Sequence, residues 1–286
     1  MRLDDEQESG NVEDRRGRLP MRAGGVGIGT IVLALAVSYF FGIDPATVIG
    51  IATQMQGGAQ VQDVPAAPPP ANDETARFVS KVLGSTERTW QAQFQRLGKP
   101  YQEPRLVLFS GATPTACGTG QSATGPFYCP LDSKVYIDLA FFEEMRSRFQ
   151  VSGDFAQAYV IAHEVGHHVQ HLLGISDKVH AARQSARSEA QANNLSVRLE
   201  LQADCLAGVW AAQANEARQI LEAGDIEEAL AAASAIGDDR LQKQSRGHVV
   251  PDAFTHGTSE QRMRWFSRGI RGGDMNQCDS FAAAQP

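Results

Sequence analysis

Between Ala23 and Ile43 the chain carries no charged residue, and this run constrains its architecture more than any other feature. As a helix rising 1.5 Å per residue, these 21 positions would reach about 31 Å, the hydrocarbon thickness of a bilayer. Only Thr30, Ser38 and some glycines interrupt it. A core helix of a globular domain is shorter or keeps a polar stripe, whereas this run is apolar all round. Arg15, Arg16, Arg18 and Arg22 precede it, and no Lys or Arg follows until Arg77. The positive-inside rule therefore predicts a cytoplasmic N-terminus and an exported remainder, periplasmic or extracellular. The run is long for a cleaved signal and no small-x-small site follows closely, so an uncleaved single-pass anchor is expected. Gly25 and Gly29 have the GxxxG spacing through which two such helices could pair as a homo-oligomer.

The organisation expected from this is a cytoplasmic segment 1–22, a transmembrane anchor 23–43, a tether 44–72 and a folded domain 73–286. The tether follows from its Gln, Gly, Ala and Pro content, ending in Pro68-Pro69-Pro70, which offers too little apolar surface for a core. A net charge of −7 excludes a general nucleic-acid binder, which needs a basic face. It leaves protein or peptide substrates open. Within the domain, Phe78, Val82, Trp90 and Phe94 give Glu74 to Leu97 helical spacing. Arg105 to Phe109 reads as a strand, as does Val135 to Leu139, where apolar and polar residues alternate. Helices are expected over Asp154 to Leu173, stopped by Gly174, and over roughly Ala182 to Ala214. A last helix opens at Thr258 with a Thr-x-x-Gln capping box. The fold class is α+β, mostly helical, with a small sheet.

Inside the Asp154 to Leu173 helix stands His163-Glu164-Val165-Gly166-His167. Histidines at i and i+4 share a helix face, so both imidazoles can reach one Zn2+ ion, while Glu164 lies about 100° round the helix. Such a string also arises by chance on a solvated helix, so the third ligand decides. The metzincin extension is absent, its Gly and His positions holding Gln170 and Leu173. His171 is two turns from His163, and His168 points off the ligand face. Glu200 and Asp204, one turn apart in an apolar stretch, supply the better partners. Glu200 completes a His₂Glu set, and Asp204 can accept the second N–H of a ligating histidine.

Cys117 and Cys129 enclose a glycine-rich loop with little core of its own, which a disulfide would stabilise by roughly 3 kcal/mol on the loop-entropy model. Cys205 is expected to pair with Cys278, the alternative being a free buried thiol. Both pairs would need an oxidising compartment, in keeping with export.

Several stretches together resemble the bacterial family described as putative neutral zinc metallopeptidases. They are Met1-Arg2-Leu3-Asp4-Asp5, Gly125 to Pro130, Val135-Tyr136-Ile137-Asp138, His163 to His168 and Glu200 to Asp204. The resemblance covers nearly the whole chain except the tether and implies a membrane-anchored, zincin-like domain. More broadly the chain is similar to gluzincins, in which the Glu of a downstream Glu-x-x-x-Asp ligates zinc. Thr255-His256-Gly257 with Arg262 resembles the Thr-His-Pro…Arg segment of membrane-linked gluzincins, with Gly257 in place of Pro.

The reading these features support is a zinc peptidase acting on extracytoplasmic proteins or peptides, with Glu164 as general base and His256 as a donor to the developing oxyanion, oriented by Arg262. Zincins place a substrate-pairing edge strand before this helix, which assigns that role to Val135, Tyr136, Ile137 and Asp138. The competing reading is a catalytically silent zincin-like scaffold or a peptide-binding module of the cell envelope. Retention of Glu164 counts against it, because a silent scaffold has no chemical use for that base.

Overall fold

A computed structural model describes residues 1–17 and 67–286. Its centre is a four-stranded sheet in the order β1-β2-β6-β5. The strands are β1 (Val12–Asp14), β2 (Arg105–Phe109), β5 (Phe127–Cys129) and β6 (Lys134–Asp138). The first three in spatial order run parallel, and β5 runs antiparallel to β6. Because side chains alternate along a strand, β2 and β6 bury both faces. Leu106, Leu108, Val135 and Ile137 join the main helical core. Val107, Phe109 and Tyr136 form a smaller cluster with Cys129 and Phe127 on the other face. The hairpin of β3 (Ala112–Thr115) and β4 (Gly118–Gln121) lies against Phe127. Gly120 lets the hairpin sit close, since an added Cβ would stand 2.4 Å from that ring and displace it.

The helices are α1 (Glu74–Arg96), α2 (Ala140–Ser147), α3 (Asp154–Leu172), α4 (Ile175–Gln184), α5 (Glu189–Arg218), α6 (Asp225–Ala235), α7 (Asp238–Arg246) and α8 (Ser259–Gly272). The single helix expected from Ala182 is two, because Ser188 caps a fresh start by accepting from Gln191 N, 3.2 Å away. The box expected at Thr258 and Gln261 caps α8 in both directions. Two small-residue contacts bring α5 and its neighbours to near backbone distance. A Cβ at Gly269 of α8 would lie 2.0 Å from Cys205 O, and one at Gly166 of α3 would lie 3.1 Å from Ala203 O. Both disulfides form as paired from the sequence, Cys117–Cys129 and Cys205–Cys278.

The expected boundary at residue 73 is corrected by the N-terminal residues. Residues 1–17 belong to the same folded unit. Strand β1 pairs with β2 in the register Val12↔Leu106. Glu13, 4% exposed, receives Arg15 at 2.9 Å, Lys134 at 3.0 Å and Arg105 at 3.1 Å. Ser9 Oγ and Asn11 Nδ2 donate to Glu87 on α1, at 2.7 and 2.9 Å. The Met1 ammonium lies 2.7 Å from Asp154 at the start of α3. The chain also comes back to where it left, for Asp14 N donates to Ala67 O at 2.8 Å and Arg16 pairs with Asp73 at 2.7 Å. A cytoplasmic N-terminus with the domain across the bilayer is incompatible with this sheet, because hydrogen-bonded strands lie about 4.8 Å apart. The apolar run 23–43 and its Gly25/Gly29 spacing lie outside the described residues. Among the described residues, no helix is long and apolar enough to cross a membrane.

Candidate metal centre

Helix α3 brings His163 and His167 one turn apart, their rings 4.8 Å between centroids and nearly perpendicular. Packing of α5 across α3 at Gly166 and Ala203 places Glu200 opposite both. Its two carboxylate oxygens stand 3.2 Å from His163 Nε2 and 3.3 Å from His167 Nε2. One donor atom from each of these three residues falls within 4.8 Å of the others. Two imidazole nitrogens and a carboxylate oxygen are the donor set of a catalytic zinc site with one position left open.

The opposite ring nitrogens are both anchored. His163 Nδ1 lies 2.8 Å from Asp204 Oδ1, and His167 Nδ1 lies 2.9 Å from Gln170 Oε1. The side-chain amide of Gln170 donates to Leu199 O at 2.7 Å and Gln202 Oε1 at 3.1 Å. Its oxygen is thereby turned to accept from His167. Both Nε2 atoms consequently face Glu200. Asp204, wholly buried, also accepts from Tyr159 Oη at 2.5 Å and from Arg262 Nε and Nη2 at 2.9 Å each. Arg262 is itself 2% exposed. The expectation that it orients His256 is corrected, for its guanidinium is committed to Asp204.

The electrostatics favour a cation at the convergence point. Burial by itself would lower the His163 pKa, yet Asp204 and Glu200 raise it to about 10, and Glu200 raises His167 in the same way. Burial would likewise raise Glu200, but His167 and the hydrogen bonds from both imidazoles hold it well below the ordinary carboxylate range. Glu164 goes the other way. It is 7% exposed, and burial raises its pKa despite the two neighbouring histidines. A raised carboxylate beside a metal-binding set suits a group that takes up and releases a proton. A second acidic group, Asp154, Asp225 and Glu228, already has a cation in the Met1 ammonium.

A cleft of about 520 Å³ opens over these residues. His256 borders it, half-exposed, with Nδ1 3.3 Å from Asp238 Oδ1. Asp238 Oδ2 also gathers the backbone N–H groups of Thr255, His256 and Gly257 at 2.8, 2.6 and 3.0 Å. This carboxylate, not Arg262, shapes the loop. Gly257 has φ 94°, which proline cannot adopt, so its backbone differs from a Thr-His-Pro turn.

The assignment of Val135, Tyr136, Ile137 and Asp138 to substrate pairing is corrected. Strand β6 is internal, paired with β2 along its whole length and with β5 on the other side from Lys134 to Tyr136, so it is not the edge that substrate could extend. Asp138 instead accepts from the backbone of Gly111 and Ala140, at 2.8 and 2.9 Å. The sheet edge at the cleft is β5, where Gly125, Pro126, Phe127 and Tyr128 line the wall facing the metal-binding side chains.

Gln170 and Tyr159 were legible in principle, being on the ligand helix at i+3 from His167 and i−4 from His163. Asp238 carries no local signal, because it meets His256 only through the tertiary fold. Residues 1–281 match the family described as putative neutral zinc metallopeptidase. The chain belongs to that family. An uncharacterized protein of Escherichia coli K12, YpfJ, is 51% identical over 293 residues, covering 98% of this chain and 99% of the relative. An uncharacterized protein of Mycobacterium tuberculosis H37Rv is 44% identical over 218 residues, covering 73% of this chain and 72% of its own. No solved structure matches the chain.

Proposed function

We propose that this family member is a zinc peptidase that hydrolyses extended segments of proteins or peptides outside the cytoplasm. The observation that carries the reading is the convergence of His163, His167 and Glu200 beside a buried Glu164, at the floor of a cleft bordered by a sheet edge. His163, His167 and Glu200 would hold Zn2+, which when bound supplies a Lewis acid and makes water acidic enough to lose a proton near neutrality. Glu164 then takes the proton of the attacking water and returns it to the leaving amine. The outer edge of β5 aligns an extended backbone by main-chain hydrogen bonds. His256, held by Asp238, donates to the oxyanion that develops as the carbonyl is attacked. Asp204 and Gln170 keep the two ligand imidazoles in the tautomer that presents Nε2.

The disulfides Cys117–Cys129 and Cys205–Cys278 support an oxidising compartment for this domain. In this reading residues 1–17 and the domain lie on the same outer side, and the 23–43 run associates with the membrane without a single crossing.

The test uses purified full-length protein. Metal analysis should find one zinc per chain, and a peptide library should be cleaved by wild type but not after chelation. Glu164→Gln should keep its zinc and lose turnover. Cleavage by Glu164→Gln at the wild-type rate would overturn the role of Glu164, and full zinc occupancy in His163→Ala would overturn the ligand set.

A further inference from the structure

We propose that His168, immediately after the second ligand histidine, is the positioning residue that sets the peptide-binding edge at its working distance from the hydrolytic groups. The proposal rests on the peptidase reading of the cleft. Strand β5 has three residues and is paired on one side only. A strand so short at a sheet edge opens readily unless something beyond the ladder holds it.

Two devices hold β5. At one end Cys129 is tied to Cys117. In the middle, strand alternation sends Phe127 and Cys129 to the smaller core and Tyr128 toward α3. Tyr128 is the side chain of this strand that reaches the ligand helix. Its hydroxyl lies 3.0 Å from His168 Nδ1, and His168 Nε2 lies 2.6 Å from the Gln102 carbonyl oxygen. A carbonyl only accepts, so Nε2 carries the hydrogen. Nδ1 of the neutral ring is then left to accept from the Tyr128 hydroxyl. The imidazole is fully buried, with Tyr101 and Tyr128 packed edge-on at centroid distances of 5.9 and 5.4 Å.

Consecutive residues of one helix thus point opposite ways to related ends. His167 turns toward Glu200, and His168 turns toward the strand that forms the cleft wall. The rigid α3 backbone between them fixes the gap between the strand edge and the ligand set. A substrate long enough to lie along β5 depends on that gap, whereas a ligand that reaches only the metal does not.

The experiment measures binding in full-length Glu164→Gln protein, which should retain zinc without consuming peptide. Two probes are compared, a ten-residue peptide that the wild type cleaves at its centre and a short hydroxamate that engages the metal alone. Tyr128→Phe should weaken the peptide about tenfold, the effect of one buried hydrogen bond, and His168→Leu by at least as much, because it also loses the bond to Gln102. Hydroxamate affinity and zinc content should stay at their parent values. Combining the two changes should cost little more than His168→Leu alone, because the bond that Tyr128→Phe removes is already gone in that variant. His168→Asn, whose amide oxygen can take the place of Nδ1, should recover most of the peptide affinity. Hydrogen exchange at Phe127 to Cys129 should rise in Tyr128→Phe and not in His168→Asn.

Equal loss for both probes, loss of zinc, or unchanged peptide binding in Tyr128→Phe would each overturn the positioning role. Failure of the peptidase reading looks different. In that case the wild type cleaves no peptide of any sequence, while the exchange measurement still decides whether His168 holds the strand.

Discussion

Replacing Asp204 by Asn should separate what holds this centre together from what binds its metal. Asp204 is wholly buried and, among the described residues, carries the only negative charge bonded to the Arg262 guanidinium, through two contacts of 2.9 Å. The amide keeps the shape and one acceptor, so the main loss is the charge facing a buried cation. Removing one partner of a buried ion pair costs about 3–5 kcal/mol, a large share of the 5–15 kcal/mol that typically separates folded from unfolded chains. For a domain of this size, roughly 2–4 °C of melting temperature per kcal/mol gives a fall of about 6–20 °C. The measurement belongs on metal-free protein, since bound zinc would itself stabilise the fold. Zinc affinity should fall about 10- to 100-fold, because His163 loses its carboxylate partner. Adding Arg262→Met removes the stranded cation and should restore more than half of the melting temperature, with no recovery of zinc affinity. A single variant melting within about 2 °C of wild type, or a double variant that regains zinc binding, would refute this division.

Five further outcomes follow from the same geometry. Deleting residues 1–72 should leave an unstable or insoluble domain, because it removes β1 and the partner of Lys134 and Arg105. Replacing 18–66 by a short Gly/Ser linker should leave a domain that still melts cooperatively, given the 2.8 Å contact of Asp14 with Ala67. In intact cells an impermeant thiol reagent should label Glu8→Cys and Leu131→Cys alike, and protection of the first alone would mean that β1 is not in the sheet. Burial lowers the His168 pKa from 6.5 to about 4. The unfolded chain therefore binds the extra proton first, and stability present above pH 6.5 is lost as pH falls toward 4. At 1.36 kcal/mol per unit this amounts to about 3 kcal/mol, and urea titrations of His168→Asn should show that acid-labile portion reduced. His256→Ala should lower turnover about 100-fold with zinc content unchanged, and a rate within threefold of wild type would reduce His256 to a surface residue.

What the sequence by itself determined is what helix geometry repeats locally. His163 with His167, and Glu200 with Asp204, share faces because a residue and its i+4 neighbour always do. The meeting of those two pairs was legible because few other polar groups interrupt the apolar faces around them. The same local logic found β2, the Thr258 capping box and the glycine-rich Cys117–Cys129 loop. Sheet order was decided only by the tertiary structure, since strand pairing joins residues far apart in the chain. Nothing within Val12 to Asp14 announces that it pairs with Leu106, and nothing within Val135 to Asp138 says that both its edges are occupied. The open edge at the cleft fell to Phe127–Cys129 for that reason. Arg262 shows the same limit for charges. Its place in α8 was readable, but the close crossing at Gly269 and Cys205 aims its guanidinium at Asp204 rather than at His256.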